Sequence, residues 1–411
     1  MTKAPMFYDA VIIGGGAAGL AAAVTYMRRR DAGRLVILES KESCGRKLLA
    51  TGNGRCNVSN LSAEGYEEIK AFFESMGVLL RVEEAGRAYP MSGKAESVLA
   101  ALLCALQSPP EPRLEPSKRH LEPVPTAAEA LRGEQTRKRC VDIRTDCRVG
   151  EILRTPGGQG GYEIKAENGA LYQAPRVLIA TGGKAGPAFG SHGDGFAFAR
   201  SLGHRVETIR PALVPVVYAE EVREQFAALK GVRVRARASL EIDGKQSAVS
   251  DGEIQFTEDA LSGIVVFDIS LGMPKSIIEG RPRTEVCLDL VPGEPEDRLV
   301  QLIAGHAALG LEGVLPFKLA DRIAKDCGGA ATEMAACAKR FVIPVSGTKG
   351  WKEAQTTRGG VPLEEIDEAT GESRISPGLF FAGEVIDADF LCGGFNLSFA
   401  WATGIRAGAS L

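Results

Sequence analysis

Apolar residues begin in a short block, Tyr8 to Ile13, which halts at three consecutive glycines. Small and apolar residues from Ala17 to Arg30 then carry helical spacing, and Leu35 to Glu39 reads as a second strand. From Val141 to Ala180 the pattern becomes short strands punctuated by GGQGG and ENGA, a meander that runs into the apolar block Val177–Ala180. Gly231 to Ile242 alternates, with Val232, Val234, Ala236, Ala238 and Leu240 on one face and Arg233, Arg235 and Arg237 on the other, as expected of a half-exposed antiparallel strand. Helical periodicity governs Pro295 to Cys337. A strand at Leu379–Ala382, a glycine-rich stretch and a helix from Leu397 to Ala409 complete the pattern. Residues 107 to 148 are irregular and proline-rich, and no internal repeat is present.

Composition narrows the class. Glycine supplies 49 of 411 residues, well above the usual ~7%, which implies many tight turns and close backbone approaches. A net charge of -3 excludes a polycation and an acidic disordered tail. The longest apolar run, Val98 to Leu106, falls short of the ~20 residues a membrane helix needs, and the N-terminus meets a glycine turn too early for a secretory signal. A cytoplasmic protein without membrane association is expected. The nine cysteines show no CxxC spacing and are expected to be reduced thiols, with no metal site.

The first forty residues hold the most specific chemistry. Gly14, Gly16 and Gly19 form GxGxxG between a strand and a helix, and Glu39 closes the second strand twenty residues after Gly19. Gly14 suits the tight turn, Gly16 the approach of a pyrophosphate, and Gly19 the helix–strand contact. The helix N-terminus offers free N–H groups to the phosphates, and Glu39 offers a carboxylate to ribose hydroxyls. Two further segments favour FAD over NAD: Thr181-Gly182-Gly183 ends a strand in mid-chain, and Gly383-Glu384-Val385-Ile386-Asp387 follows one near the end. A long cofactor needs such distant segments for its ribityl chain and flavin. No second GxGxxG is present to form a separate nicotinamide domain.

GRKLLATGNGRCNVSN (Gly45–Asn60), LIATGG (Leu178–Gly183) and LFFAGEVIDADFLCGGFNLSFAWATGIRAG (Leu379–Gly408) together resemble the BaiN/RdsA-type NAD(P)/FAD-dependent oxidoreductases over nearly the whole chain. The resemblance implies an α/β fold: a Rossmann-like FAD-binding domain of the glutathione-reductase-2-like type, with an inserted β-barrel and helical subdomain. Residues 1–194 and 341–411 would form the FAD domain and 195–340 the insert, with the barrel near 205–270 and the helices near 295–338. It also implies FAD contacts at Gly14, Gly16, Ala18, Gly19, Glu39, Ser40, Arg46, Lys47, Gly52, Val149, Thr181, Gly182, Gly183, Glu384, Asp387, Gly394, Asn396 and Leu397. The chain departs from the family at Thr257–Ile264, where Glu258 stands in place of a frequent histidine, and at Gly371, which takes a methionine position.

The same resemblance implies NAD(P)H-driven reduction of a polarised C=C bond. The substrate would be an unsaturated oxo-steroid-like small molecule or uridine in ribosomal RNA. Such a reduction needs a proton for the α-carbon, and Cys56 and Cys392, in the GRCN and LCGGFN loops, are the candidate catalytic donors beside Glu258 and water. Of the histidines, His192 alone adjoins a cofactor motif. Residues 113–148 carry nine Lys and Arg against six Asp and Glu, and with the arginine face at 233–237 they form the candidate RNA footprint. A redox sensor without turnover and an FAD-dependent RNA methyltransferase are the alternatives.

Overall fold

Two strands at the start of the chain, β1 (Ala10–Ile13) and β2 (Leu35–Leu38), are buried at every position. Unbroken apolar strands of this kind belong in a parallel sheet covered on both faces. They lie in the order β5-β4-β1-β2-β3, with β3 at Val141–Arg144, β4 at Arg176–Ile179 and β5 at Leu379–Phe381, all parallel. The computed structural model describes residues 4–29, 33–107, 141–155, 161–277 and 281–411. It divides into two compact units: Met1–Arg210 with Thr356–Leu411, and Pro211–Gln355.

In the first unit the pleat sends alternate residues to opposite layers. Ala10, Ile12, Leu35, Ile37, Leu178 and Phe380 pack against helices α1 (Ala17–Met27), α2 (Arg46–Ala50), α3 (Ala95–Gln107) and α5 (Phe395–Ser410). Val11, Ile13, Val36, Leu38, Val177 and Ile179 face the other way. They pack on a second sheet through Tyr162, Ile164 and Tyr172, and on α4 (Asp194–Ser201) through Phe196 and Ala199. That second sheet is the expected meander without its first strand, since Val141–Arg144 joins the parallel sheet as β3, and Met6–Phe7 is added as a parallel fourth strand.

Helices α1 and α5 touch backbone to backbone. A Cβ at Gly404 would lie 2.4 Å from the Ala18 carbonyl oxygen, and one at Gly408 2.2 Å from that of Ala22. No described helix is long and apolar enough to cross a membrane.

The second unit is a closed six-stranded barrel, in the order Val216–Tyr218, Ala260–Ser262, Lys245–Phe256, Arg233–Ile242, Thr284–Asp289 and Phe341–Thr348. Its interior is filled by Ala236, Ala238, Leu240, Ile254, Phe256, Val286, Leu288 and Ile343. Three helices, Glu296–Gly305, Phe317–Asp326 and Ala331–Lys339, belong to the same unit.

The seams at 210/211 and 355/356 lie beyond the expected 194/195 and 340/341, for local reasons. Helix α4 buries Phe196 and Ala199 in the first unit, and Phe341–Thr348 is the strand that closes the barrel between Thr284–Asp289 and Val216–Tyr218. The barrel correspondingly draws strands from 216 to 348 instead of 205 to 270. Cys327 and Cys337 stand side by side, brought together by the turn between two helices. The proline-rich segment and its basic cluster at 113–139 lie outside the described residues.

His204 is sealed inside the first unit, against the edge of Phe381. Its Nδ1–H donates to Glu365 at 2.9 Å, and its Nε2 accepts from the Ser373 hydroxyl at 2.8 Å. Burial pushes the imidazole below its ordinary value; Glu365 opposes that shift and Arg154 adds to it. The folded state therefore favours the neutral ring. Its stability is complete above the unfolded histidine pKa of ~6.5 and declines as pH falls below it, because the unfolded chain takes up a proton that the folded chain resists. Thermal melts from neutral to mildly acidic pH will show a shallower loss for His204→Gln than for the unaltered chain. Parallel slopes would remove His204 from the acid response.

Candidate functional site

The sheet reverses its winding between β1 and β4, and the carboxyl ends of β1, β2, β4 and β5 open on one crevice, the position at which such sheets bind ligands. Three of the sequence motifs meet there, on the loops after Ile13, Ile179 and Phe381. Their glycines act differently. Gly14 has φ +106°, and a Cβ there would meet the Ala180 carbonyl oxygen at 2.4 Å; a Cβ at Gly19 would meet the Gly14 carbonyl oxygen at 2.0 Å. Both hold the turn against its own scaffold. A Cβ at Gly16 would meet no atom within 4 Å. Gly16 is the N-cap of α1, whose first turn has no acidic residue and no side-chain cap, so its N–H groups suit an anion.

Glu39 sits at the rim of this turn. Its carboxylate accepts the Gly15 N–H at 2.8 Å, the Lys41 N–H at 2.9 Å and the Ser40 hydroxyl at 3.2 Å. It thereby fixes the glycine turn, and the ribose contact expected of it would use the same carboxylate. Gly15, which the GxGxxG reading passes over, contributes that N–H, and the Cys44 thiol lies against its Cα. Burial and the nearby Glu39 push the Cys44 thiol up to about 12. Glu39→Ala removes both functions, and FAD affinity should fall by about 10- to 100-fold. Equilibrium titration of flavin fluorescence measures this, and an unchanged dissociation constant would assign the ribose to another group.

Ala18 is buried beneath Gly383 and Gly404, so its side chain serves packing. Val149 opens the edge strand of the second sheet (Val149–Arg154), where one row of backbone groups has no neighbouring strand among the described residues. Arg46 is ion-paired with Glu42 and donates to the Ala188 carbonyl.

Glu384 is a junction. One oxygen takes the Lys47 ammonium at 2.7 Å and the other the Thr357 N–H at 2.8 Å. Thr357 is itself buried, and its hydroxyl accepts the N–H groups of Lys184 and Ala185 at 2.7 and 3.0 Å. A Cβ at Gly183 would strike both Thr357 and Glu384. Gly182 has φ +71°, and the Thr181 hydroxyl lies over Gly195 of α4. Asp387 is half-buried; burial and the neighbouring Asp389 raise its carboxyl above the usual range. Thr357 was not legible as a site residue, since its role requires the chain to return after the barrel.

At the far end of the crevice, Gly394 (φ +104°) caps α5, and Asn396 and Leu397 lie in that helix's first turn. The Asn396 side chain donates to the carbonyls of Phe390 and Leu391, which holds the preceding loop in place. Gly52 lies in a loop of left-handed residues, and a Cβ there would come 3.1 Å from the Asn57 nitrogen.

The two thiols diverge. Cys56 is 0% exposed, lies in the main hydrophobic core, and is pushed up to about 12 by burial. Its apolar surroundings and raised pKa both count against the proton-donor role expected of it. Cys392 is half-buried beside the exposed Leu391. Glu258, exposed in the second unit, is ion-paired with Lys230 at 2.7 Å and held below the usual carboxylate range by it, so near neutral pH it carries no proton to give. His192 is exposed.

The arginine face of the barrel is compensated by its neighbouring strand. Arg237 pairs with Asp251 at 2.8 Å and Arg233 with Glu253 at 3.3 Å, while Arg235 stands opposite Glu253 in register. The row that alternation presented as basic is a mixed surface.

Comparison with known proteins adds to this geometry. The HI0933-like protein Rossmann domain family matches residues 126–410. The chain is 33% identical to a 3-dehydro-bile acid delta(4,6)-reductase of Clostridium scindens, over 97% of both chains. It is 25% identical to a ribosomal RNA dihydrouridine synthase of Escherichia coli, over 96% of both. Among solved structures, a 3-ketosteroid-delta4-(5alpha)-dehydrogenase from Rhodococcus jostii aligns over 100% of this chain and 98% of its own, with a TM-score of 0.49 and 15% identity.

Proposed function

The chain belongs to the HI0933-like Rossmann domain family and is an oxidoreductase, and from that premise we propose that it uses FAD and NAD(P)H to reduce a polarised C=C bond in a small unsaturated ketone. The observation that carries the cofactor reading is the crevice itself. An uncapped helix N-terminus, a carboxylate on the turn and a Gly16 position open to a ligand occupy the switch point of the sheet. When bound, FAD supplies two-electron transfer to the β-carbon of the enone.

The chain's residues do the rest. The Gly14–Gly16 turn and the start of α1 hold the pyrophosphate, Glu39 the ribose, and Asp387 a ribityl hydroxyl. The first turn of α5, at Asn396 and Leu397, would offer backbone N–H groups and a positive dipole end to the flavin ring. Cys392, half-buried in the LCGGFN loop, would hand a proton to the α-carbon. Cys392→Ala should slow oxidation of the reduced enzyme by substrate about tenfold or more while its reduction by NAD(P)H is unchanged.

A small-molecule substrate is favoured over RNA by two observations: the compensated arginine face, and the higher identity to a reductase named for a bile acid, 33% against 25% for the ribosomal RNA dihydrouridine synthase. The test is anaerobic. Purified enzyme reduced with NADH or NADPH is offered a 3-oxo-4,6-diene steroid, and the product is weighed. A gain of two hydrogens per double bond supports the proposal. Dihydrouridine in ribosomal RNA, with the steroid untouched, would replace the substrate, and a methyl-group gain on RNA would replace the reaction class.

A further inference from the structure

We propose that Asn57 reads the pyrimidine edge of the flavin ring, its Oδ1 accepting the ring N3–H; this rests on the crevice being the FAD site. The starting point is an unsatisfied atom. Asn57 Oδ1 is buried and has no hydrogen-bond partner, a condition it shares with three other side-chain atoms among the described residues. An acceptor left in that state is costly to bury, so its persistence asks for a donor that the chain itself does not supply.

Its surroundings are kept clear and fixed. Gly52, Asn53, Gly54 and Cys56 all have positive φ, at 57°, 55°, 81° and 57°. Two of them bear side chains in a conformation such residues seldom adopt. The core holds Cys56, and the loop delivers Asn57 next. On the other side, a Cβ at Gly394 would stand 3.0 Å from Asn57 Oδ1 and 2.4 Å from the Ser59 carbonyl oxygen. Glycines therefore bound Asn57 both in its own loop and at the start of α5.

Neighbouring amides are already engaged. Asn60 donates to the carbonyls of Ala85 and Gly393 and accepts from Ser62, and Asn396 donates to Phe390 and Leu391. Asn57 is the amide in this corner whose acceptor is both buried and unpaired. Oxidised isoalloxazine carries a single ring N–H, at N3 between two carbonyls, and that donor fits an isolated acceptor flanked by backbone with no side chain in the way.

The test compares FAD with 3-methyl-FAD, in which a methyl group replaces the N3 hydrogen, on flavin-stripped full-length protein and its Asn57→Ala variant. Dissociation constants come from fluorescence quenching, and the flavin absorption spectrum is recorded in parallel. The unaltered chain should bind 3-methyl-FAD about tenfold more weakly than FAD. Asn57→Ala should weaken FAD by a similar factor, bind both flavins equally, and shift the flavin absorption bands. Equal affinity of the unaltered chain for the two flavins would overturn the proposal without requiring any variant to fold. Normal FAD binding with full discrimination in Asn57→Ala would also overturn it. If the unaltered chain binds neither flavin, the FAD reading itself fails, an outcome plainly different from both.

Discussion

Gly16→Val will give a folded, colourless protein. The expectation rests on the contrast among the three glycines of the first turn. Valine at Gly14 or Gly19 would drive a Cβ into a carbonyl oxygen 2.4 or 2.0 Å away, and since those oxygens are backbone, the strand–turn–helix would have to open. At Gly16 the new carbons enter space that no protein atom occupies, and the backbone there has φ -84° and ψ -167°, which an L-residue adopts without strain. The fold should keep its melting temperature in flavin-free form to within a few degrees. The pyrophosphate, by contrast, loses its seat, and FAD affinity should fall by 10³-fold or more, at least ~4 kcal/mol. Copurifying flavin, read at its visible absorption bands, and circular dichroism separate the two effects. Stoichiometric flavin in Gly16→Val would move the phosphate site elsewhere, and an unfolded variant would mean that Gly16 belongs with Gly14 and Gly19.

Trp401→Ala should be the most destabilising single truncation in α5, at about 3–5 kcal/mol. The indole is fully buried, meets Phe73 edge-on at 5.1 Å, and donates its N–H to the Val58 carbonyl at 3.0 Å. Truncation leaves a cavity and an unpaired carbonyl one residue beyond Asn57, so flavin affinity should fall together with stability. Trp401→Phe keeps most of the volume and loses the hydrogen bond, which is worth about 1–2 kcal/mol. Denaturant unfolding of the two variants measures both quantities, and losses of equal size would assign the whole effect to the hydrogen bond.

The parts of the molecule governed by local spacing were readable in advance. GxGxxG between a buried strand and a helix, Glu39 at the end of the next strand, and the alternation of Gly231–Ile242 all stand where the sequence puts them, because each depends on residues a few positions apart. Long-range partners were hidden. Thr357 and Glu384 join only after the chain returns from the barrel. The arginines at 233 and 237 looked basic because their acids, Glu253 and Asp251, come from the neighbouring strand. Cys56 sits in a motif that follows the cofactor, yet its positive φ turns the thiol into the core. The helical subdomain was legible by period, whereas the seams were not, since barrel closure by Phe341–Thr348 is a pairing across more than a hundred residues of sequence.

The glycine-lined contact between α1 and α5 also bears on the order of synthesis. Helix α1 leaves the ribosome early, while Gly404 and Gly408, which must lie against Ala18 and Ala22, emerge only after the entire barrel segment. At translation rates of about 5–20 residues per second the delay is some tens of seconds. The barrel unit, contiguous from Pro211 to Gln355, can complete its fold within that interval. The nascent cofactor unit waits with one flank of α1 bare and the edge strand β5 missing, and it is over this interval that a chaperone, or FAD itself, would find it unfinished.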